Sequence, residues 1–147
     1  MSPAGTTTGS PSLDPASLTE ASAFVAAAGL VLDEVSATEV VGHIDLRPDQ
    51  HHTPWGIVHG GVYATAVESA ASIGASTAVR DRSMVAVGLT NTTQFLRSVT
   101  EGRVQVRAEA LNQGRTQQLW QVDVRDGTDR LLAHGEVRLQ NVEVTPR

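Results

Sequence analysis

Between His59 and Arg80 the chain is built almost entirely of Ala, Val, Gly, Ser, Thr and Ile, and it carries one charged side chain, Glu68. A segment of that length and composition is a helix rather than a strand. It is small or apolar on nearly every side, so it is expected to be buried all round. Its short side chains let a sheet or a second helix approach closely. Any fold open to this chain must wrap the remaining residues around this helix.

Those residues read as strands. Leu30–Ser36 and Glu39–Leu46 are two short strands joined at Ala37–Thr38, and in the second Val40, Gly42, Ile44 and Leu46 alternate with Val41, His43 and Asp45. Arg47–Val58 is a long polar loop, which makes it suspect as functional. Beyond the helix come strands at Met84–Arg97, Arg103–Leu111, Thr116–Arg125 and Leu131–Val142, parted by turns at Thr100–Gly102, Asn112–Gly114 and Asp126–Gly127. Val104, Val106 and Ala108 share one face, as do Trp120, Val122 and Val124, and Leu131, Ala133, Val137 and Leu139. Alternation with short glycine turns marks an antiparallel meander with one wet face. One long helix against a strongly curved antiparallel sheet is an α+β arrangement. Upstream, Ser17 and Glu20 fit a capping box for a short helix that runs to about Ala28 and is closed by Gly29. Residues 1–15, rich in Ser, Thr, Gly and Pro, are expected to be a disordered tail, which leaves 16–147 as a single domain.

Composition narrows the chemistry. Apolar residues make up 40% of the 147, but aromatic ones only 3%, so the core must be mainly Val, Leu, Ile and Ala. There is no cysteine, which excludes disulfides, thiolate metal sites and a thiol nucleophile. A net charge of −5 and a pI near 5.4 supply no basic stripe for nucleic acid. No apolar run approaches the roughly 20 residues of a membrane span. Residues 1–12 lack the basic and apolar regions of a signal peptide, so the cytoplasm is the expected compartment. His51, His52 and His59 lack the spacing of a helical metal motif, and no metal or other cofactor is expected.

Glu68 is the residue that composition does not explain. A carboxylate on a buried helix is costly unless paired or hydrogen-bonded. Such a Glu either reaches the surface or a buried hydroxyl, or it is a catalytic base or nucleophile kept poorly solvated. Immediately before the helix stands Trp55-Gly56-Ile57-Val58-His59-Gly60-Gly61. A helix N-terminus has unsatisfied N–H groups and a partial positive charge, which can polarise a carbonyl or hold an oxyanion. A tight loop that merely needs glycine would read the same way. Glu68 lies about 12 Å along the helix from Gly60. A donor and a nucleophile that share one carbonyl must both come within about 3 Å of it. If both are catalytic, two chains must pair, with Gly60 of one near Glu68 of the other, in a composite site doubled by two-fold symmetry.

At these residues the chain resembles the hotdog-fold acyl-CoA thioesterases, and it is similar to the 4-hydroxybenzoyl-CoA and phenylacetyl-CoA thioesterase groups. The resemblance spans about Leu30 to Val142. Residues 55–61, Tyr63 and Glu68 carry it, with Met84-Val85-Ala86-Val87-Gly88 and Phe95-Leu96-Arg97. It implies a hotdog homodimer with shared active sites, paired again into a tetramer. It also implies hydrolysis of an acyl-CoA thioester to the free acid and CoA, with aryl or arylacetyl groups favoured. Glu68 would attack the carbonyl or activate water, and the Gly60 N–H would bind the carbonyl oxygen. His59 would shape the turn beside Gly61, and the Ser72 hydroxyl would orient the acid or the water. Related enzymes commonly carry Asn or Gln six residues before the His; this chain has Thr53, whose hydroxyl is shorter. The resemblance places Arg115 and Thr116 against the CoA nucleotide, and Arg80, Arg82 and Arg97 are further basic candidates. Trp55 either lines the acyl pocket or anchors the loop in the core.

Two other readings share this fold. A hydroxyacyl-thioester dehydratase or hydratase would pair a loop His with the helical acid, which His52 and Glu68 loosely mimic, although His59-Gly60-Gly61 argues against it. A non-catalytic acyl-CoA-binding module is the other, since Thr53 departs from the catalytic pattern.

Overall fold

The small-residue helix forms, but it is covered on one side only. In the computed structural model, which describes residues 22–144, Gly60–Val79 make one continuous helix, α3. Its buried residues, among them Tyr63, Ala66, Val67, Ala70, Ala71, Gly74 and Ala75, recur at three- and four-residue spacing. The opposite side is at most half-buried, and Glu68 is exposed. The expectation of burial all round is corrected here: the small side chains would permit a second neighbour, but the chain supplies a single sheet.

That sheet has six antiparallel strands: β1 (Leu30–Val35), β2 (Glu39–Leu46), β3 (Met84–Phe95), β4 (Gly102–Gln113), β5 (Gln117–Arg125) and β6 (Leu131–Glu143). Their order is β1-β2-β4-β5-β6-β3. The chain leaves β2, runs through α3 across the sheet, and enters β3 at the far edge before returning to β4. Both strand boundaries and faces follow the alternation, with Val40, Ile44, Val106, Trp120, Val122, Val137 and Leu139 fully buried under the helix. Leu132 is also buried, because a register shift beside Val124 inserts it as an extra residue in β6. Two glycines permit the close approach of helix to sheet. A Cβ at Gly74 would lie 2.4 Å from the Trp120 ring, and one at Gly135 would lie 2.5 Å from Val67. The outer face carries exposed ion pairs such as Arg103–Asp45 and Arg107–Glu39, which contribute little to stability.

Two segments differ from expectation. Arg47–Val58 is not wholly loop: Pro48–His51 form a short helix, α2, with His51 buried. His51 Nδ1 accepts from the Arg47 N–H at 3.0 Å and its Nε2 faces the Ala27 carbonyl at 3.2 Å, so this ring fastens α2 to α1 (Ala23–Ala28). Ser22 caps α1, and Gly29, at φ 85°, closes it. The Ser17–Glu20 box and the expected tail lie outside the described residues.

At the far end of the sheet is a polar cluster that alternation cannot reveal. The buried Gln118 donates to the Ala75 carbonyl and to Asn141 Oδ1, both at 2.9 Å. Its Oε1 accepts from Trp120 Nε1 at 3.0 Å and from Gln113 at 3.1 Å. Every polar atom of that buried amide has a partner, which is the condition for a stable buried Gln. Asn141 in turn donates to the carbonyls of Gly114 and Arg115, fixing the β4–β5 turn.

Candidate active site

The start of α3 is a tight, well-bonded loop. The Thr53 N–H donates to Ile57 at 2.7 Å, and Gly56 sits at φ 80°, where a side chain would be strained. The His59 N–H donates to the His51 carbonyl at 2.8 Å. His59 is the helix N-cap, and its Nδ1 accepts from the Gly61 N–H at 2.8 Å. That cap satisfies Gly61 and leaves Gly60 alone: among the described residues the Gly60 N–H has no acceptor. The result is one free, dipole-oriented donor at the head of a long helix.

That donor opens onto a hollow of about 280 Å³. Its walls are largely apolar, from Ile57, Val58, Phe95, Leu96 and Val99, with Thr53, Tyr63, Arg97 and Ser98 as the polar members. Thr53 Oγ1 already accepts from the Trp55 N–H at 3.3 Å, which leaves its hydroxyl hydrogen for another partner. Desolvation pushes the Tyr63 phenol up to about 12, so it is a neutral hydroxyl at every ordinary pH.

Glu68 stands two turns further along the same helix, and β3 holds its carboxylate. Asn91 donates one amide hydrogen to the Ala64 carbonyl at 3.1 Å and the other to Glu68 Oε2 at 3.3 Å. Its own Oδ1 accepts from Thr93 at 2.7 Å, which fixes the orientation of the amide. A Cβ on Gly88 would stand 2.7 Å from Glu68 Oε1, so the absent side chain makes the seat for that oxygen. Ser72, one turn on, is half-buried on the helix.

The predicted residues therefore fall into separate groups. Thr53, Gly60 and Arg97 line one hollow. His59 and Gly61 line a neighbouring one of about 350 Å³, together with Phe24, His51 and His52. Trp55 does not anchor its loop in the core: it is 84% exposed. Arg115 and Thr116 sit at the opposite end of the sheet from Gly60, in the turn where Asn141 binds both backbone carbonyls. His52 Nε2 bonds the Thr100 carbonyl, so that ring nitrogen is engaged away from Glu68. Asn91 and the seat at Gly88 were not predicted. The one available signal for Asn91 was an amide in a strand interior, where that residue is disfavoured.

A curved antiparallel sheet around one helix, with a free donor at the helix start and a tethered carboxylate beyond it, is the hotdog architecture of thioester-cleaving enzymes. The description "Thioesterase superfamily" matches residues 56–133, and the chain belongs to that superfamily. A Mycobacterium tuberculosis protein named as an esterase is 41% identical over 90% of this chain and 95% of its own length. Its solved structure superposes with a TM-score of 0.79 over 84% of this chain and 98% of that one. A 1,4-dihydroxy-2-naphthoyl-CoA hydrolase of Listeria monocytogenes is 38% identical over 71% of this chain and 83% of its own. A Haemophilus influenzae thioesterase structure shares the fold at a TM-score of 0.81 and 23% identity, over 95% of this chain and 96% of that one. No helix among the described residues is long and apolar enough to cross a membrane.

Proposed function

We propose that this protein hydrolyses acyl-CoA thioesters, with aryl or arylacetyl groups favoured, at two equivalent sites each built from two chains. The observation that carries this reading is the placement of a free Gly60 N–H and a tethered Glu68 carboxylate on one rigid helix, about 12 Å apart. Each suits one half of the chemistry, and neither can reach the other's carbonyl. In the composite site the Gly60 N–H of one subunit polarises the thioester carbonyl. Glu68 of the other either attacks the carbonyl carbon, forming a C–O bond as the C–S bond breaks, or takes a proton from an attacking water. On the first route water then hydrolyses the mixed anhydride and restores Glu68; on the second the water oxygen bonds to the carbonyl carbon and the C–S bond breaks. On both, the departing thiolate takes up the proton that the water releases, leaving the free acid and the CoA thiol. Ser72 lies close enough along the helix to orient Glu68 or the water, and Arg97 offers a cation at the mouth of the hollow.

The edge of the sheet supports the pairing. β3 is an edge strand of 12 residues, with Val87 49% and Leu89 51% exposed. A long apolar edge invites pairing with another strand. Contacts along α3 and β3 set the register: Gly60 lies against Phe95, Glu68 against Gly88 and Asn91, and Ser76 against Ala86. An antiparallel β3–β3 pairing with its two-fold axis near Thr92 sets Phe95 opposite Leu89 of the partner subunit. That register brings the Gly60 end of one helix towards the Glu68 region of the other.

The direct test is thiol release from a panel of aryl-, arylacetyl- and alkanoyl-CoA thioesters; release from none of them would contradict the assignment. Tight CoA binding without hydrolysis would favour the binding-module reading. Asn91 is proposed as a positioning residue. Asn91→Ala is expected to lower kcat about tenfold with KM nearly unchanged, because the carboxylate loses its tether and not its charge. Steady-state kinetics check this, and an equal change in KM and kcat/KM would assign Asn91 to binding.

A further inference from the structure

Among the described residues, three polar residues are buried: Gln118, Asn141 and His51. The two amides serve the far end of the sheet. His51 is 3% exposed and lies on α2 beside the start of α3, and the reaction proposed above makes no use of it. Both of its ring nitrogens are engaged. Nδ1 accepts from the Arg47 N–H at 3.0 Å, which puts the ring hydrogen on Nε2, and Nε2 donates to the Ala27 carbonyl at 3.2 Å. A buried ring bonded at both nitrogens is held in one place and one orientation. The fold makes room for it: Gly29 closes α1 at φ 85°, and a Cβ there would stand 3.1 Å from His51 Nε2.

Through its backbone the same residue holds the start of α3. The His51 carbonyl accepts from the His59 N–H at 2.8 Å. The Gly60 N–H belongs to the planar His59–Gly60 peptide, so its direction follows the placing of His59. His59 makes two further bonds: its carbonyl accepts from the Val62 N–H at 3.0 Å, and its Nδ1 accepts from the Gly61 N–H at 2.8 Å. Both of those stay within the first turn of α3 and move with it. The bond to His51 is the one that fixes His59 against another element.

We propose that His51 is a positioning residue for thioester hydrolysis: its ring pins α2 to the end of α1, and this sets the carbonyl that holds His59 and so aims the Gly60 N–H at the thioester oxygen. The inference rests on the hydrolase reading above, in which that N–H polarises the carbonyl. It adds to that reading a residue that acts through the backbone rather than on the substrate. An oxyanion donor works by being aimed before the charge develops, so a small turn of its peptide plane weakens it without removing it.

The test measures kcat/KM on a cleaved acyl-CoA, well below the melting temperature, and the affinity of two unreactive CoA derivatives. One is a ketone with a methylene between the sulfur and the acyl carbonyl, and the other is the matching thioether without the carbonyl. His51→Phe fills the place of the ring and removes both nitrogens. It is expected to lower kcat/KM about tenfold, less than the loss of a whole oxyanion donor. Affinity for the ketone is expected to fall about fivefold, while affinity for the thioether stays that of the wild type. His51→Asn keeps an acceptor near the Nδ1 position and is expected to recover part of both losses; it carries the same comparison if His51→Phe does not fold. Two results overturn the proposal. Folded variants with wild-type kcat/KM, even if they melt lower, would leave His51 a purely structural residue. Equal loss of affinity for ketone and thioether would make its ring a wall of the binding site. A wild type that cleaves no acyl-CoA overturns the hydrolase reading, whereas one that cleaves them and is indifferent to His51 overturns this inference alone.

Discussion

Glu68→Gln is expected to reduce thiol release from a preferred acyl-CoA by about 10³-fold or more while leaving the thermal midpoint close to that of the wild type. General-base or nucleophilic assistance by a positioned group commonly contributes 10²–10⁴-fold. The substitution removes that assistance with little other change. Glutamine keeps the length of the side chain, and its carbonyl can still accept from Asn91, 3.3 Å from the carboxylate in the wild type. Glu68 is exposed on the single chain, so the fold does not depend on its charge. Initial rates of thiol release and thermal melting check both halves. A variant with wild-type turnover would remove Glu68 from the chemistry.

Gly60→Pro is expected to cost about 10²–10³-fold in kcat, the range seen when one oxyanion donor is removed. Proline deletes the N–H, and the first helical position is where its missing donor does least structural harm. The preceding residue is already compatible, since His59 has φ −68° and ψ 131°, the extended conformation required before proline. The new ring meets Phe95, whose side chain is 56% exposed and can move aside. Gly60→Ala is the control: it adds the same first carbon and keeps the N–H. Activity lost in the proline variant and retained in the alanine variant assigns the effect to the donor. Equal loss in both would assign it to crowding against Phe95.

The parts of this molecule legible in its sequence are those governed by local rules. The composition of residues 60–79 dictates a helix, and the alternation in β2, β4 and β5 dictates which side chains meet it. The separation of Gly60 from Glu68 was legible too, because both lie on one helix, and that separation is what motivates the proposed pairing of two chains. What the sequence did not disclose depends on contacts between elements. Asn91 meets Glu68 because α3 and β3 lie in a particular register, set by close approach at Gly74 and Gly135. Glu68 was expected to be buried because its neighbours in sequence are small, yet smallness permits a covering partner without supplying one. Arg115 and Thr116 lie at the opposite end of the sheet from Gly60, which no pattern within the β4–β5 turn discloses.

Each proposed site takes Gly60 from one subunit and Glu68 from the other, and a mixed dimer distinguishes this arrangement from a site within one chain. Gly60→Pro and Glu68→Gln chains, carrying different tags, are co-expressed, and the mixed dimer is purified and assayed for thiol release. One of its sites combines both wild-type residues and the other combines both defects. The mixed dimer is expected to regain about half of the wild-type turnover per dimer while each parent homodimer stays inactive. A mixed dimer as inactive as its parents would contradict it.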